Sequence, residues 1–349
     1  MTDIFDISDE KKFNTAALEL YRLHSEKNPV YREYIALMGV FGNEVEHYSQ
    51  IPFLPIDFFR TRKVLLDDVE DIDFFESSGT TGSTDTTGGE ETTGGAGTTG
   101  GKRMTNSERT TSRHYIADFS LYEKSLLQAF THFIGAPSEY AIVVLLPHYL
   151  EREHSSLVYM VKTLMQASGN KHNGFFLYNH EELYKTLLEL ENIGQKTLLM
   201  GVSFALLDFA DKYKLSLKHT LVMETGGMKG RKKEITRSEL HATLRSAFGV
   251  KHIYSEYGMA ELFSQAYLLQ GNKFRCPPWM KILLRSTYDP LEIISEFGKT
   301  GGINVIDLAN AHSCPFIQTQ DLGKLHPDGS FEVLGRFDHS QIRGCNLMV

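Results

Sequence analysis

The sequence predicts an α/β protein in which a mainly parallel sheet is covered by helices and a smaller β-rich section follows. Between about residues 118 and 262, short apolar runs typical of buried strands alternate with segments whose apolar residues have helical spacing. Beyond residue 262 the apolar runs are shorter and lie closer together, which favours a group of strands. We therefore expect an α/β region over residues 1–262 and a β-rich section over residues 263–349.

The individual elements follow from the same patterns. Residues 10–26 have apolar positions at helical spacing, and the proline-broken, aromatic segment at 51–59 predicts a loop packed on the core. Further helices are predicted at 118–134, 154–168, 181–192, 203–213 and 234–247. The predicted strands are DIDFFE, YAIVVLLP, GFFLY, KTLLMGV, HTLVMETGG, KHIYSEYG, SQAYLL, MKILLR, INVIDL and CPFIQT, and GKLHPDGSFEVLG predicts a hairpin.

The composition excludes several classes of protein. Of the 349 residues, 41% are hydrophobic and 23% are charged, as is usual for soluble globular proteins. The net charge of −8, with dispersed basic residues, argues against a nucleic-acid-binding surface. No apolar run is long enough to span a bilayer, and the acidic start does not resemble a signal peptide. Three scattered cysteines (Cys276, Cys314 and Cys345) do not form a disulfide framework, so a reducing, cytoplasmic compartment is expected.

A low-complexity stretch follows the predicted strand DIDFFE. It begins with SSGTTG at residues 77–82 and continues as the hexamers TTGSTD, TTGGEE, TTGGAG and TTGGKR, up to Arg103. Such a composition is typical of a flexible linker. Directly after a strand, however, glycines and hydroxyl side chains can also form a nest of donors for phosphate oxygens. The Walker spacing is absent, so an ordinary P-loop is excluded.

Four short motifs, in order, resemble those of the adenylate-forming enzymes, which activate carboxylates with ATP: SSGTTG, SEYGMAE, QDLG and GRFDHSQIRG. Longer stretches, among them LLPHYLEREHSSLVYM, METGGMKGRKKEITRSELH and IDLANAHSCPFIQTQDLG, resemble the acyl-protein synthetases of bacterial luminescence systems over nearly the whole chain. The resemblance implies the N-terminal-domain fold of adenylate-forming enzymes, with their mobile C-terminal domain absent. It also implies a nucleotide- and acyl-binding region within residues 1–262.

The resemblance implies ATP and Mg²⁺ as cofactors and assigns roles to individual residues. Glu261 matches the carboxylate that holds Mg²⁺, Asp321 the acceptor of the ribose hydroxyls, and Arg336 the arginine near ribose and phosphate. Ala260 departs from the pattern, which usually has threonine there. The implied ATP-binding residues are Ser77, Ser78, Gly79, Thr80, Thr81, Gly82, Gly226, Gly227, Tyr257, Gly258, Met259, Asp321 and Arg336.

The spacing of the first motif also departs from the family. The related proteins have SRH within a few residues of SSGTTG, whereas here Ser112-Arg113-His114 follows about thirty residues later. Duplication of a hexamer explains the difference, and expanding a flexible loop costs only about 0.6 kcal/mol per doubling of its length. We therefore predict an expanded loop at 83–111 and a working first copy.

The end of the sequence predicts the second chemical step. The resemblance implies that Cys345 takes the acyl group from the adenylate as a thioester, and the neighbouring Arg343 would favour its thiolate. The catalytic residues implied are therefore Cys345, Glu261 and Arg336. The expected substrate is a carboxylic acid, in this family a fatty acid, and the acceptor a reductase or carrier protein. Two alternatives remain open, a carboxylate–CoA ligase of the phenylacetate type and an inactive nucleotide-binding scaffold.

Overall fold

The computed structural model describes residues 3–39, 45–77, 111–147, 153–226 and 235–337. Its helices are α1 (Glu10–Lys27), α2 (Pro29–Leu37), α3 (Phe58–Thr61), α4 (Phe119–Phe133), α5 (Ser156–Ser168), α6 (His180–Asn192), α7 (Ser203–Lys212) and α8 (Arg237–Phe248). Its strands are β1 (Leu54–Pro55), β2 (Asp73–Glu76), β3 (Arg113–Ile116), β4 (Ala141–Leu145), β5 (Gly174–Phe176), β6 (Thr197–Val202), β7 (Thr220–Thr225), β8 (Tyr254–Tyr257), β9 (Ala266–Leu268), β10 (Met280–Arg285), β11 (Ile293–Ile294), β12 (Thr300–Asp307), β13 (Phe316–Leu325) and β14 (Phe331–Arg336).

The first sheet has the strand order β5-β4-β6-β7-β8-β9 and is parallel up to β8, with β9 antiparallel at its edge. Its central strands β4 and β6 are buried along their whole length, as expected of a parallel sheet between helices. In β7 and β8, Thr225 lies opposite Glu256. The carboxyl ends of these two strands therefore meet, which brings Gly226, the residue after β7, close to the SEYGMAE motif.

The helices of this region end where the sequence supplies suitable caps. Ser155 caps the N-terminus of α5, and Thr236 forms a capping box with Glu239 at the N-terminus of α8. Both helices finish at glycines in the left-handed conformation, Gly169 and Gly249. These local signals explain why both elements could be predicted from the sequence.

The second sheet has the order β1-β13-β12-β10-β11, and β14 pairs with β13. It is antiparallel apart from the short parallel pair of β1 with β13. Asp321 on β13 lies directly opposite Arg336 on β14. A separate antiparallel hairpin pairs β2 with β3, with Glu76 opposite Arg113.

Several features differ from the predictions, among them the strands β3 and β11, which were not predicted. The segment predicted as a loop at 51–59 contains β1 and part of α3, because β1 pairs with β13. An additional helix, α2, begins directly after α1, with Asn28 as its N-cap and Pro29 in its first turn. The strand predicted to end at CPFIQT continues as β13 through Asp321 to Leu325, because β12 on one side and β14 on the other supply backbone partners.

Candidate functional site

Asp321 is the centre of a polar cluster between the two sheets. It is 7% exposed, and its carboxylate accepts a hydrogen bond from the Tyr257 hydroxyl at 2.8 Å and one from Nε of Arg336 at 3.3 Å. The Arg336 side chain is 70% exposed, so this edge of the cluster faces solvent. Tyr257 and Asp321 come from different sheets, and the tyrosine hydroxyl fixes one orientation of the carboxylate. The remaining lone pairs of the carboxylate can accept two hydroxyls of a diol.

Tyr257 is itself held firmly. Its ring packs against Phe274 and Phe331, with centroids 5.9 and 5.6 Å away. Burial, and then the negative charge of Asp321, raise the pKa of Tyr257 well above its ordinary value, so the hydroxyl stays a donor. The next residue is Gly258, where a Cβ would lie 2.4 Å from Oε1 of Glu256. A side chain at position 258 would therefore displace the Glu256 carboxylate.

Glu261 is a buried carboxylate, 5% exposed, in the segment between β8 and β9. Burial raises its pKa, whereas a hydrogen bond donated by the Ser112 hydroxyl lowers it. The positive charge of Arg336 lowers the pKa of Glu261 and the negative charge of Asp321 raises it. The structure thus brings Glu261 within electrostatic range of the Asp321 cluster, although the residues lie far apart in the sequence.

His114 on β3 and Asn310 contact the backbone carbonyl groups of Ala260 and Glu261. Nδ1 of His114 lies 2.8 Å from the carbonyl oxygen of Ala260, and Nε2 lies 2.9 Å from Oδ1 of Asn310. Only a protonated ring could donate to both oxygens, but burial lowers the pKa of His114 to about 4, so the ring donates to one of them at neutral pH. The Asn310 amide nitrogen donates to the carbonyl oxygens of Glu261 and Cys314, both at 2.9 Å.

Ser77 and Ser112, which lie on either side of the predicted expanded loop at 83–111, are hydrogen-bonded to each other. The Ser77 amide donates to the Ser112 carbonyl at 3.0 Å, and the Ser112 amide donates to the Ser77 hydroxyl at 2.9 Å. Thr111 adds a hydrogen bond from its hydroxyl to Glu76 at 3.1 Å. Ser112 therefore connects the first residue of SSGTTG to Glu261.

A pair of buried carboxyls lies beneath the cluster, on β7 and β8. Glu256 accepts a hydrogen bond from the Thr225 hydroxyl at 2.5 Å, and burial raises the pKa of Glu256 to about 7. Burial also opposes the charge of Glu224, but hydrogen bonding to His241 and the charge of Arg237 outweigh it, so the pKa of Glu224 is lowered. Burial therefore favours the protonated form of Glu256, whereas Glu224 is ionised at neutral pH.

The structure brings together only part of the predicted site. Tyr257, Asp321 and Arg336 form one cluster, and Glu261 lies within its electrostatic range and is connected to Ser77 through Ser112. Gly258 and Met259 lie in the segment between Tyr257 and Glu261, and Gly226 lies at the end of the adjoining strand β7, with a left-handed φ of 65° that favours glycine. Ser78, Gly79, Thr80, Thr81, Gly82, Gly227, Arg343 and Cys345 lie outside the described residues. The predicted roles of all these residues stay predictions.

Several neighbours of the site had no role in the sequence analysis. Glu256 lies in SEYGMAE and Asn310 in IDLANAHSCPFIQTQDLG, but neither residue was assigned a role, and Ser112 and His114 served only to locate the SRH motif. The one available signal was the SRH motif itself, whose serine and histidine are the two residues of that segment that face Glu261 and Ala260.

The two described cysteines are poor nucleophiles. Cys314 is fully buried, and burial raises the pKa of its thiol to about 12. Burial likewise raises the pKa of the Cys276 thiol far above its ordinary value. At neutral pH almost none of either thiol is ionised, and the thiolate is the form that attacks.

The chain matches no protein-family model and no curated protein. Solved structures do resemble it. An open conformation of a 2-hydroxyisobutyryl-CoA ligase, in complex with 2-HIB-AMP and CoA, matches with a TM-score of 0.66 and 11% identity, covering 95% of this chain and 70% of that one. The same ligase in its postadenylation state with 2-HIB-AMP matches with a TM-score of 0.67 and 11% identity, covering 94% and 68%.

ATP-bound MatB from Rhodopseudomonas palustris matches with a TM-score of 0.50 and 14% identity, covering 75% of this chain. The chain spans about half of MatB, 47% of its length. At these identities the similarity is one of fold. It confirms the predicted α/β architecture, that of the N-terminal part of adenylate-forming ligases. Within the described residues, no helix is long and apolar enough to cross a bilayer.

Proposed function

We propose that this chain activates a carboxylic acid with ATP and transfers the acyl group to its own Cys345. In the first step a carboxylate oxygen attacks the α-phosphorus of ATP, and pyrophosphate leaves. In the second step the Cys345 thiolate attacks the carbonyl of the acyl adenylate, and AMP leaves. The acyl group, in our proposal a fatty acyl group, then passes from the thioester to a partner protein, a reductase or a carrier.

The observation that carries the first step is the Tyr257–Asp321–Arg336 cluster. It offers a fixed carboxylate to a ribose diol and places a cationic side chain beside it at the solvent-facing edge. Charge builds on phosphate oxygens during adenylation, and a guanidinium stabilises that charge. The fold is consistent with this use, since the similar ligase structures contain ATP or the adenylate 2-HIB-AMP.

Mg²⁺ fits the donors around Glu261. The cation prefers oxygen ligands and is commonly held by one or two carboxylates together with substrate phosphates. Glu261 supplies one buried carboxylate, and Ser112 is the one described side chain that donates a hydrogen bond to it. Within the described part of the chain, no cluster of three metal-ligating side chains occurs, so the triphosphate would complete the coordination. The cation would neutralise charge on the phosphate oxygens.

The assignment of the thiol is supported by the state of the other cysteines. Desolvation strongly raises the pKa values of the buried Cys314 thiol and the half-buried Cys276 thiol, which favours Cys345, the cysteine that the resemblance implies, as the nucleophile. A variant with Cys345→Ser should retain acid-dependent exchange of radioactive pyrophosphate into ATP. It should lose the stable label from radioactive fatty acid, which neutral hydroxylamine should release from the parent.

The matched control is Cys276→Ser, which removes a different thiol and should leave both readouts unchanged. Fatty and aryl acids of several lengths should be compared in the exchange assay, to identify the acid that the protein activates. Labelling of Cys345→Ser at the full parental rate would contradict the assignment of this residue.

A CoA ligase is the second candidate, because the similar 2-hydroxyisobutyryl-CoA ligase was crystallised with CoA as well as with its adenylate. Consumption of free CoA in a reaction that needs no cysteine would favour this candidate. Absence of pyrophosphate exchange with every acid tested would instead favour a nucleotide-binding scaffold without activity, a possibility raised by Ala260 where the family pattern has threonine.

A further inference from the structure

We infer that Ser112, just before β3, His114 on β3 and Asn310, after β12, act together as positioning residues for Glu261, the carboxylate proposed to bind the metal. The inference rests on the proposed function, because it gives these residues a role only if Glu261 holds the cation with ATP. It goes further than that proposal by explaining how an irregular segment can hold a carboxylate in one place.

The segment from Gly258 to Gln265 connects β8 to β9 and contains no helix or strand. Its second half is fixed by Asp307, which accepts hydrogen bonds from the amides of Phe263 and Ser264, both at 2.8 Å. Asp307 does not contact the part of the segment that carries Glu261. The Leu262 amide donates to the Met259 carbonyl oxygen at 3.1 Å and closes a turn around Glu261, but the carboxylate itself is held by a donor from outside the segment.

Three side chains supply these donors, one for each polar group around Glu261. Ser112 donates to the carboxylate, His114 lies 2.8 Å from the preceding carbonyl oxygen, and Asn310 donates to the carbonyl oxygen of Glu261 itself at 2.9 Å. All three side chains are buried, so water does not compete for these hydrogen bonds. The peptide and its carboxylate are thus held from both sides.

The donors are themselves fixed. The backbone of Ser112 is paired with Ser77, and the ring of His114 packs against Phe59 and Phe263, with centroids 5.6 and 5.1 Å away. The Asn310 amide nitrogen also donates to the Cys314 carbonyl oxygen at 2.9 Å, which fixes the orientation of its side chain. Groups that orient a metal ligand in this way commonly change metal affinity by about 10- to 100-fold when they are removed.

The test compares Ser112→Ala with Thr111→Ala. Both remove one hydroxyl from adjacent residues, but the Thr111 hydroxyl contacts Glu76 instead of Glu261. Binding of Mn²⁺ in the presence of ATP, followed by electron paramagnetic resonance, measures the site without requiring turnover. We expect Ser112→Ala to weaken Mn²⁺ binding by about 10-fold or more and to raise the Mg²⁺ concentration for half-maximal pyrophosphate exchange. ATP binding without metal should be unchanged.

Two further variants distinguish weaker metal binding from a loss of folding. Ser112→Thr keeps the hydroxyl and should restore binding to within about twofold of the parent, whereas His114→Gln should weaken Mn²⁺ binding in a protein that still binds ATP. Equal Mn²⁺ affinity in Ser112→Ala and Thr111→Ala, with an active parent, would overturn the inference. A parent that binds no Mn²⁺ with ATP and exchanges no pyrophosphate would overturn the proposed function itself.

Discussion

Asp321 shows how neighbouring side chains can orient a carboxylate before a ligand binds. The carboxylate lies on β13, and the tyrosine that orients it lies at the end of β8 in the other sheet. Neither residue alone distinguishes a ligand site from a surface turn. The Tyr257 hydroxyl fixes one oxygen and Arg336 approaches the other, so little orientational freedom remains to be lost when a ligand binds.

Asp321→Ala should raise the Michaelis constant for ATP in the exchange assay by about 10- to 100-fold, since hydrogen bonds to a charged group contribute about 1.5–3 kcal/mol. Tyr257→Phe keeps the ring but removes the hydroxyl that orients Asp321, so a smaller increase is expected. An unchanged Michaelis constant in Asp321→Ala, with normal acid dependence, would contradict the assignment of the ribose site.

Glu256 should make the protein less stable as the pH rises. Its folded-state pKa is about 7, above the ordinary value of 4.5, so the folded state binds this proton more tightly than the unfolded chain does. The resulting stability is fully present below pH 4.5 and is lost as the pH rises through 7.

Glu256→Gln keeps an acceptor for Thr225 and removes the titration. Its free energy of unfolding, relative to the parent, should therefore increase by about 2–3 kcal/mol between pH 5 and pH 8. Urea unfolding followed by the fluorescence of Trp279, the one tryptophan in the sequence, provides the measurement. A constant difference between the two proteins across this range would show that Glu256 does not titrate there.

At the scale of elements, the hairpin β2–β3 explains how the sequence can accommodate a long insertion. Ser77 and Ser112 are hydrogen-bonded to each other, although 34 residues separate them in the chain. The base of the loop is therefore closed by the hairpin, and the length between the two serines adds only a slowly growing entropy cost.

Deletion of Ser83 to Thr110 should keep or improve adenylation. It leaves six residues between Ser77 and Ser112, and the shorter loop should stabilise the protein by about 1.5 kcal/mol. Pyrophosphate exchange and urea unfolding measure the two effects. In the same shortened chain, Thr80→Ala with Thr81→Ala should reduce exchange, because the first copy is the proposed working one. Loss of exchange in a folded deletion variant would show that the later copies are functional.

The elements that could be predicted are those with their own local signal. Strands β4, β6 and β7 are apolar runs because they are covered on both faces, and α5 and α8 have caps at both ends. The short strand β1 and the extension of β13 were missed because their structure comes from pairing with distant strands. A local sequence pattern does not indicate pairing with a strand that is distant in the sequence.

The same distinction applies to the candidate site. Tyr257, Glu261 and Asp321 were found because the resemblance assigns them roles. Glu256 and Asn310 lie in the same quoted stretches, but their contacts form only when the strands assemble, so no role could be assigned to them from the sequence. The positions of Cys345 and of most of SSGTTG lie outside the described residues. The division of the chain at residue 262 stays a prediction.

At the scale of the whole molecule, a buried histidine connects the N-terminal helices to the second sheet through hydrogen bonds. His24 on α1 donates from Nε2 to the carbonyl oxygen of Ala311 at 2.9 Å, and its Nδ1 accepts a hydrogen bond from Asn28 at 3.2 Å. Asn28 in turn donates to the carbonyl oxygen of Ser313 at 2.6 Å. A neutral ring satisfies both contacts, so this connection between α1 and the loop after β12 requires the unprotonated form.

This connection should make the protein acid-sensitive. Burial lowers the pKa of His24 to about 4, below the ordinary value of 6.5, so the unfolded chain binds this proton more readily than the folded protein does. The stabilising contribution is fully present above pH 6.5 and is lost as the pH falls towards 4, at a total cost of about 3 kcal/mol. His24→Gln removes this titration while keeping a donor for Ala311. It should lower the stability at pH 7 and flatten the decline in stability between pH 6.5 and pH 4.

Urea unfolding at several pH values measures how steeply the stability declines. His132→Gln, at an exposed position on α4, is the control and should leave this decline unchanged. An equally steep decline in His24→Gln and the parent would assign the acid sensitivity to other groups.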